Sequence, residues 1–319
     1  MPRVDGFLRR ALEAPLNIPA GDLAGMLSLE DEGAWRETFA AARELKRRLG
    51  KDEVLLRGLI ECSNACAKDC LYCGIRKGNA KVPRYRLEEG EVIGCCDEAR
   101  RRGYRAVALQ AGEIESEANT AYYERILSKC RDLEVTLSLG EQTESVYRRW
   151  REQGAMRYLL RIETSNPALY ARIHPPACSY ERRVACIRTL KRLGYVTGTG
   201  VMIGLPGQTF GDLAGDIVFF GAEHVDMVGM GPYIPHPDTP LAGASNASGA
   251  ASLPLSLRMI ALTRLYLWDV NIVAATALGA LDPENGLRRG IEAGANVAMP
   301  ELTPAAHAGD YVLYPRMRK

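Results

Sequence analysis

Four cysteines fall in one short stretch, Cys62-Ser-Asn-Ala-Cys66-Ala-Lys-Asp-Cys70-Leu-Tyr-Cys73. Several thiols on one compact loop form a metal-binding set, because such a loop can wrap its sulfurs around a cube of iron and sulfide. The last three, spaced C-x3-C-x2-C, supply three ligands to a [4Fe–4S] cluster and leave its fourth iron open. Counting Cys62 gives four ligands, the set of a closed electron-transfer cluster or a zinc site. Zinc sites, however, usually use two separated C-x2-C pairs or add histidines, and no second pair occurs here. Cys62 also fits as a small buried residue, since Leu59, Ile60 and Cys62 continue one apolar strand pattern. Cys95, Cys96, Cys130, Cys178 and Cys186 lie mostly on helical stretches and fit as buried apolar residues.

Polar residues elsewhere gather at the ends of apolar runs. Gln110-Ala-Gly112-Glu113 closes one run, and its glycine lets backbone approach a ligand. Thr136 and Ser138 alternate onto one face of the next, either lining a polar cavity or hydrogen-bonding within the core. Arg161 and Glu163 share a face of a third. Charges in such a place need a partner, so they form a structural ion pair or hold a ligand. Arg183 offers a bidentate fork to a carboxylate, with Arg182 competing for the role. The segment from Gly200 to Thr209, GVMIGLPGQT, matches neither the phosphate loop nor the dinucleotide fingerprint.

These positions need a scaffold that brings strand ends together. Eight candidate strands occur, at 54–61, 105–110, 134–139, 158–163, 196–203, 227–229, 272–276 and 296–299. Helical patterns lie between them at 88–102, 121–131, 144–153, 180–193, 209–223, 255–267 and 285–293. Eight right-handed βα steps close a barrel, so the expected fold is α/β, a (βα)8 TIM-type barrel over 51–319 with an N-terminal helical extension over 1–50. Helical periodicity at 20–27 and 32–49 supports that extension. Gly103, Gly154, Gly194 and Gly294 fit the residue that ends a helix before the next strand. The Pro-rich, then small and polar stretch 234–251 is expected as a loop over the mouth. Barrel active sites form at the C-terminal strand ends, where the cysteine loop and the polar residues fall.

Composition sets the outer bounds. With 319 residues, 47% of them hydrophobic, the chain suits one large α/β domain. Forty-one Lys plus Arg against thirty-nine Asp plus Glu leave no basic patch for nucleic acid. No secretory h-region and no run of 18 apolar residues occurs, so a cytoplasmic protein with no membrane role is expected. Nine cysteines are too few for a disulfide scaffold at this length.

With the motif placed after strand one, the chain resembles the radical S-adenosylmethionine (SAM) superfamily. Within it the chain is most similar to the HydE family of [FeFe]-hydrogenase maturases, through RGLIECSNACAKDCLYCGIRKGN, LQAGE, VTLSLGE, RYLLRIETSNP, LKRLGYVTGTGVMIGLPGQT, DMVGMGPYIPHPDTPLA, GANVAMPELTP and YVLYP. The resemblance implies a [4Fe–4S] cluster on Cys66, Cys70 and Cys73, with SAM on the open iron and a 5′-deoxyadenosyl radical as its cleavage product. It implies Tyr72 beside the adenine, Gly112 and Glu113 at the methionine amino group, and Glu163, Arg183 and Met202 around the rest of SAM. Gln110, Thr136, Ser138, Arg161, Thr276, Tyr311 and Tyr314 become candidate cavity residues for an organometallic substrate, a cysteine-bound Fe(CO)2(CN) synthon destined for the hydrogenase subcluster. Implied partners are a ferredoxin or flavodoxin as reductant and the other hydrogenase maturases. Two departures stand out. No cysteine follows Cys186, so the second cluster common in the family is not expected, and Ala275-Thr276 stands where a Thr-Thr pair is expected. The alternatives are a methylornithine synthase- or biotin synthase-like enzyme, or an Fe–S carrier without turnover.

Overall fold

A computed structural model describes residues 2–244 and 249–315. Three helices come first: α1 (Pro2–Glu13), α2 (Ala20–Leu27) and α3 (Glu32–Arg48). Then β1 (Leu55–Ser63), α4 (Glu89–Arg101), β2 (Ala106–Ala111), α5 (Glu117–Lys129), β3 (Glu134–Ser138), α6 (Glu144–Glu152) and β4 (Arg157–Leu159) alternate. They are followed by α7 (Pro167–Ile173), α8 (Tyr180–Arg192), β5 (Val196–Thr199), β6 (Met202–Ile203), α9 (Phe210–Ala222) and β7 (Met227–Pro232). The chain continues through α10 (Gly249–Leu267), β8 (Asn271–Ala274), α11 (Thr276–Leu281), α12 (Gly286–Ala293) and β9 (Val297–Ala298).

The strands run β5-β4-β3-β2-β1-β9-β8-β7, and a β5–β7 pairing closes this order into a ring of eight parallel strands. The fold is therefore the expected (βα)8 barrel. Strand five is broken into β5 and β6 at Gly200, where a Cβ would stand 1.7 Å from the Gly229 carbonyl oxygen, so the chain swerves inward against β7. The ring has two interiors, because successive side chains point to opposite faces. Ile60, Cys62, Val107, Leu109, Val135, Leu137, Tyr158, Met230 and Ile272 join the apolar layer under the helices. Their neighbours Leu59, Glu61, Ala108, Gln110, Thr136 and Ser138 face the lumen; register sets Glu61 beside Gln110 and Gln110 beside Ser138. Low in the lumen, Arg57 Nη1 reaches across to Met227 Sδ at 3.1 Å, and buried Leu59 and Val297 complete a plug.

The helices before β1 share one apolar core with the barrel, through Phe7, Leu23, Leu27 and Trp35. α2 packs on α9, and α3 on α10 and α12. At the base, buried Arg264 donates to the Gly294, Val270 and Trp268 carbonyls and to Asn296 Oδ1, tying α10 to the last strands. The four helix-ending glycines all have positive φ, as their places required. Among the described residues no helix is long and apolar enough to cross a membrane.

The structure differs from expectation at short elements. α7 and α11 fall where no helix is expected, and α1 adds a third helix to the expected extension, whose periodicity shows only at 20–27 and 32–49. β8 ends at Ala274, and Thr276 opens α11 instead of continuing the strand. Of the expected loop 234–251, the first part does run as turns over the mouth, residues 245–248 lie outside the described residues, and α10 has begun by Gly249.

Candidate functional site

The cysteine loop leaves β1 at the barrel mouth, held by the turn after β2. Ala67 N–H donates to Glu113 O at 2.8 Å, and Gly112 N–H to Ser63 O at 3.0 Å. Cys66 Sγ accepts the N–H groups of Lys68 and Glu113, at 3.4 and 3.3 Å. Gly112 packs so close that a Cβ there would lie 2.2 Å from Ala65 O. The Gly112-Glu113 pair thus braces the cluster loop with its backbone, a role its sequence did not announce. Cys66, Cys70 and Cys73 are partly exposed free thiols, whereas Cys62 is fully buried among the helices with its thiol turned to Ile60 O at 3.6 Å. The strand pleat therefore removes Cys62 from any four-ligand set. Among the described residues, no three His, Cys, Asp or Glu groups converge as ligands of one metal ion; the three thiols are strung along the loop.

A buried network of charges borders the loop. Glu141 lies 2.6 Å from Arg183, 3.3 Å from Arg182 and 3.5 Å from Lys68, and Lys68 also meets Glu113 at 3.0 Å. Arg183 is 6% exposed and turns inward, where its Nη1 donates to Arg161 O. Arg182 also reaches out to Glu115, at 2.9 Å, so the two arginines point different ways from the shared Glu141. Burial pushes the Glu113 carboxyl up, while Arg183 leads the cations that hold Glu141 down against its own burial. Glu163 sits at φ 68 and bridges to Val201, with Arg161 Nη2 3.0 Å from its Oε2. That pair is in charge contact without hydrogen-bond alignment. Glu163 Oε2 and Arg161 Nε both lack a hydrogen-bond partner, although Arg161 Nη2 donates to Val201 O at 2.9 Å. Two charged groups are thus left with bonding capacity at the mouth.

Beside these charges lies a second, smaller apolar cluster. Met202, Leu205, Leu169, Ile173 and Tyr233 form a cluster apart from the main core, with Tyr72 and Leu241 against it. Tyr72 hydroxyl is 3.3 Å from His174 Nε2, and the His174 ring stacks on Tyr170 at 3.9 Å between centroids. Burial drops the His174 pKa to about 4, which leaves the imidazole neutral.

The upper lumen is polar. Thr136 Oγ1 is buried without a partner, Gln110 and Ser138 are half-buried beside it, and buried Tyr311 neighbours Gln110. Tyr311 belongs to a C-terminal strap across the mouth. Asn64 Nδ2 donates to Asp310 O at 2.8 Å, Gly74 N–H to Leu313 O at 3.0 Å, and Thr276 Oγ1 meets Tyr314 hydroxyl at 2.9 Å. Thr276 is exposed at the rim, so it reaches the others through this strap and not from a strand. An open groove of about 560 Å³ between α8 and α9 lies on the outside of the barrel and shares only its helices with this site.

The sequence profile of the Radical SAM superfamily matches residues 60–220, which hold the cysteine loop and every ion pair just described. The chain belongs to the radical SAM superfamily. Among its relatives, the [FeFe] hydrogenase maturase subunit HydE of Thermotoga maritima is 44% identical over 91% of this chain and 82% of its own, which places the chain with the HydE maturases inside that superfamily. The 3-methylornithine synthase of Methanosarcina barkeri is 26% identical over 92% of this chain and 83% of its own. A crystal structure of methylornithine synthase (PylB) superposes with a TM-score of 0.82 at 25% identity, covering 98% of this chain and 92% of the other.

The residues fit the radical SAM cofactors. Burial and the neighbouring Cys66 push the Cys73 thiol up to about 12, and burial raises Cys66. Thiols that resist ionising beside one another release their protons when iron supplies the opposing charge. The N–H groups aimed at Cys66 Sγ suit a ligated thiolate. The unpartnered Glu163 Oε2 and the apolar cluster beside Tyr72 suit the ammonium and the nucleobase of SAM. Reading the sequence missed Lys68, Glu141 and His174. Glu141 lies just past the third strand, in the turn at the barrel mouth, a position that could have revealed it; His174 follows a helix too short to show periodicity.

Proposed function

We propose that this radical SAM enzyme acts in [FeFe]-hydrogenase maturation, on a cysteine-bound Fe(CO)2(CN) synthon held in the lumen below the cluster loop. Cys66, Cys70 and Cys73 would hold a [4Fe–4S] cluster, which, once reduced by an external one-electron donor, would supply the electron for cleaving SAM to methionine and a 5′-deoxyadenosyl radical. Arg183 and Glu163 orient the methionine end of SAM, and Gly112 and Glu113 keep the loop at the correct height. Tyr72 and Met202 clamp the adenine. Thr136, Ser138 and Gln110 offer donors to the cyanide and carbonyl ends of the substrate, and Arg161 balances its negative charge. Tyr311, Tyr314 and Thr276 exclude water from above.

The observation that carries this reading is the 44% identity to the HydE relative across nearly the whole chain, against 26% for the methylornithine synthase. The cluster and SAM are read from the superfamily; a ferredoxin or flavodoxin reductant and the other maturases as partners belong to the same proposal. The test is anaerobic reconstitution with iron and sulfide, reduction, and quantification of 5′-deoxyadenosine with and without a synthetic cysteine-bound Fe(CO)2(CN) complex. We expect cleavage in both cases and consumption of the complex. A reconstituted, reduced protein that forms no 5′-deoxyadenosine would be a carrier, and cleavage that leaves the complex intact would refute the maturase role.

A further inference from the structure

The corner after α7 grips the cluster loop at two points next to each other. Leu71 N–H donates to Ile173 O at 2.9 Å, and one residue further along each segment Tyr72 hydroxyl meets His174 Nε2 at 3.3 Å. The direction of the second bond follows from the first atoms around the ring. His174 Nδ1 stands 3.0 Å from the backbone carbonyl oxygen of Tyr170, which only accepts. Nδ1 therefore carries the proton, Nε2 is bare, and Tyr72 hydroxyl must donate to it. That carbonyl also accepts His174 N–H at 3.1 Å, so both its lone pairs hold the histidine. Stacking on Tyr170 at 3.9 Å and an edge contact with Tyr72 at 5.4 Å fix the plane of the ring, and a flip within that plane would break the hydrogen bonds at both nitrogens. The partner at the far end is Tyr72, which lies between Cys70 and Cys73 and packs, half-buried, against the apolar cluster of Met202 and Leu205.

We propose that His174, protonated on Nδ1, is a positioning residue: it accepts the Tyr72 hydroxyl and so fixes the aromatic ring that meets the nucleobase of SAM. It rests on the radical SAM reading only for the identity of that ligand. His174 acts through Tyr72 and touches no reacting atom. Its effect belongs to SAM binding, and the iron content of the loop is set by the cysteines and by the backbone bonds of the β2 turn.

A double-mutant cycle on the reconstituted protein tests this. Tyr72→Phe removes the donor and His174→Phe the acceptor, and both retain the aromatic contacts. Each is expected to weaken SAM binding by roughly three- to tenfold, the size of one lost buried hydrogen bond, with iron and sulfide content unchanged. The double variant is expected to bind no worse than the weaker single one. Effects that multiply, a His174→Phe protein with unaltered affinity, or iron loss in His174→Phe without iron loss in Tyr72→Phe would each overturn it. A parent protein that takes up no cluster or binds no SAM would instead fail the radical SAM reading. The tautomer can be read without any cluster: the chain has four histidines, and nitrogen-15 imidazole NMR with His174→Phe as the assignment control should show His174 protonated on Nδ1. A proton on Nε2 overturns the proposal on its own.

Discussion

Cys62 and Ser63 are consecutive on β1, yet the pleat sends the thiol into the helical layer and the hydroxyl to Tyr85 O at 2.7 Å above the lumen. That alternation predicts unequal outcomes for two chemically identical substitutions. Cys70→Ala should lose both the cluster and SAM cleavage. Cys62→Ala should keep both, at a cost of about 1 kcal/mol for the small void it leaves. Iron analysis and 5′-deoxyadenosine yield measure the difference, and equal loss of iron in the two would restore Cys62 to the ligand set. At this scale the cysteine motif was legible because thiolate ligation demands close spacing along the chain. Arg183 against Arg182 was not, since adjacent helical positions are separated only by where the helix is rotated. Lys68 and Glu141 were hidden for another reason: their pairing spans 73 residues and exists only once the strand ends are neighbours.

All eight barrel strands were visible as apolar runs divided by amphipathic helices, since each strand must feed both interiors of the ring. The short helices escaped. α7 spans seven residues, too few for periodicity, although Asn166 caps Ala168 and Leu169 N–H and Pro167 stands at its first position, signals that mark a helix start. α11 escaped because an apolar run crosses from β8 into it. One element contact carries a pH signature. Asp216 on α9 is fully buried and accepts Ser165 N–H at 2.6 Å, which ties α9 to the segment leading into α7, but its other oxygen has no hydrogen-bond partner. Burial raises its pKa from 3.8 to about 7, so between those values the folded protein holds a proton that the unfolded chain has released. Stability therefore falls as pH rises through that window, by on the order of 4 kcal/mol at most for a shift from 3.8 to about 7. Asp216→Asn, which keeps the acceptor, should melt higher than the parent at pH 8 and close to it at pH 4. An equal difference at both pH values would show that the carboxyl does not titrate there.

At the scale of the whole molecule, the strap crosses one end of the barrel and the plug fills the other. The strap is held partly by an exposed bond between Thr276 and Tyr314, so Tyr314→Phe should loosen it without disturbing the strands. Amide exchange at Gly74, whose N–H is bonded to Leu313 O, should accelerate by up to about fivefold, the equivalent of roughly 1 kcal/mol, while exchange in β1 and β2 is unchanged. Exchange that stays at the parent rate would mean the strap is held by other contacts. The lower end gives no such freedom. Arg57, Met227, Leu59 and Val297 seal it, and the proposed SAM site lies across the upper end. For the proposed chemistry, traffic through this barrel is that of a stack: the substrate must enter first, SAM enters last, and the fragments of SAM have to clear the doorway before the iron product can follow.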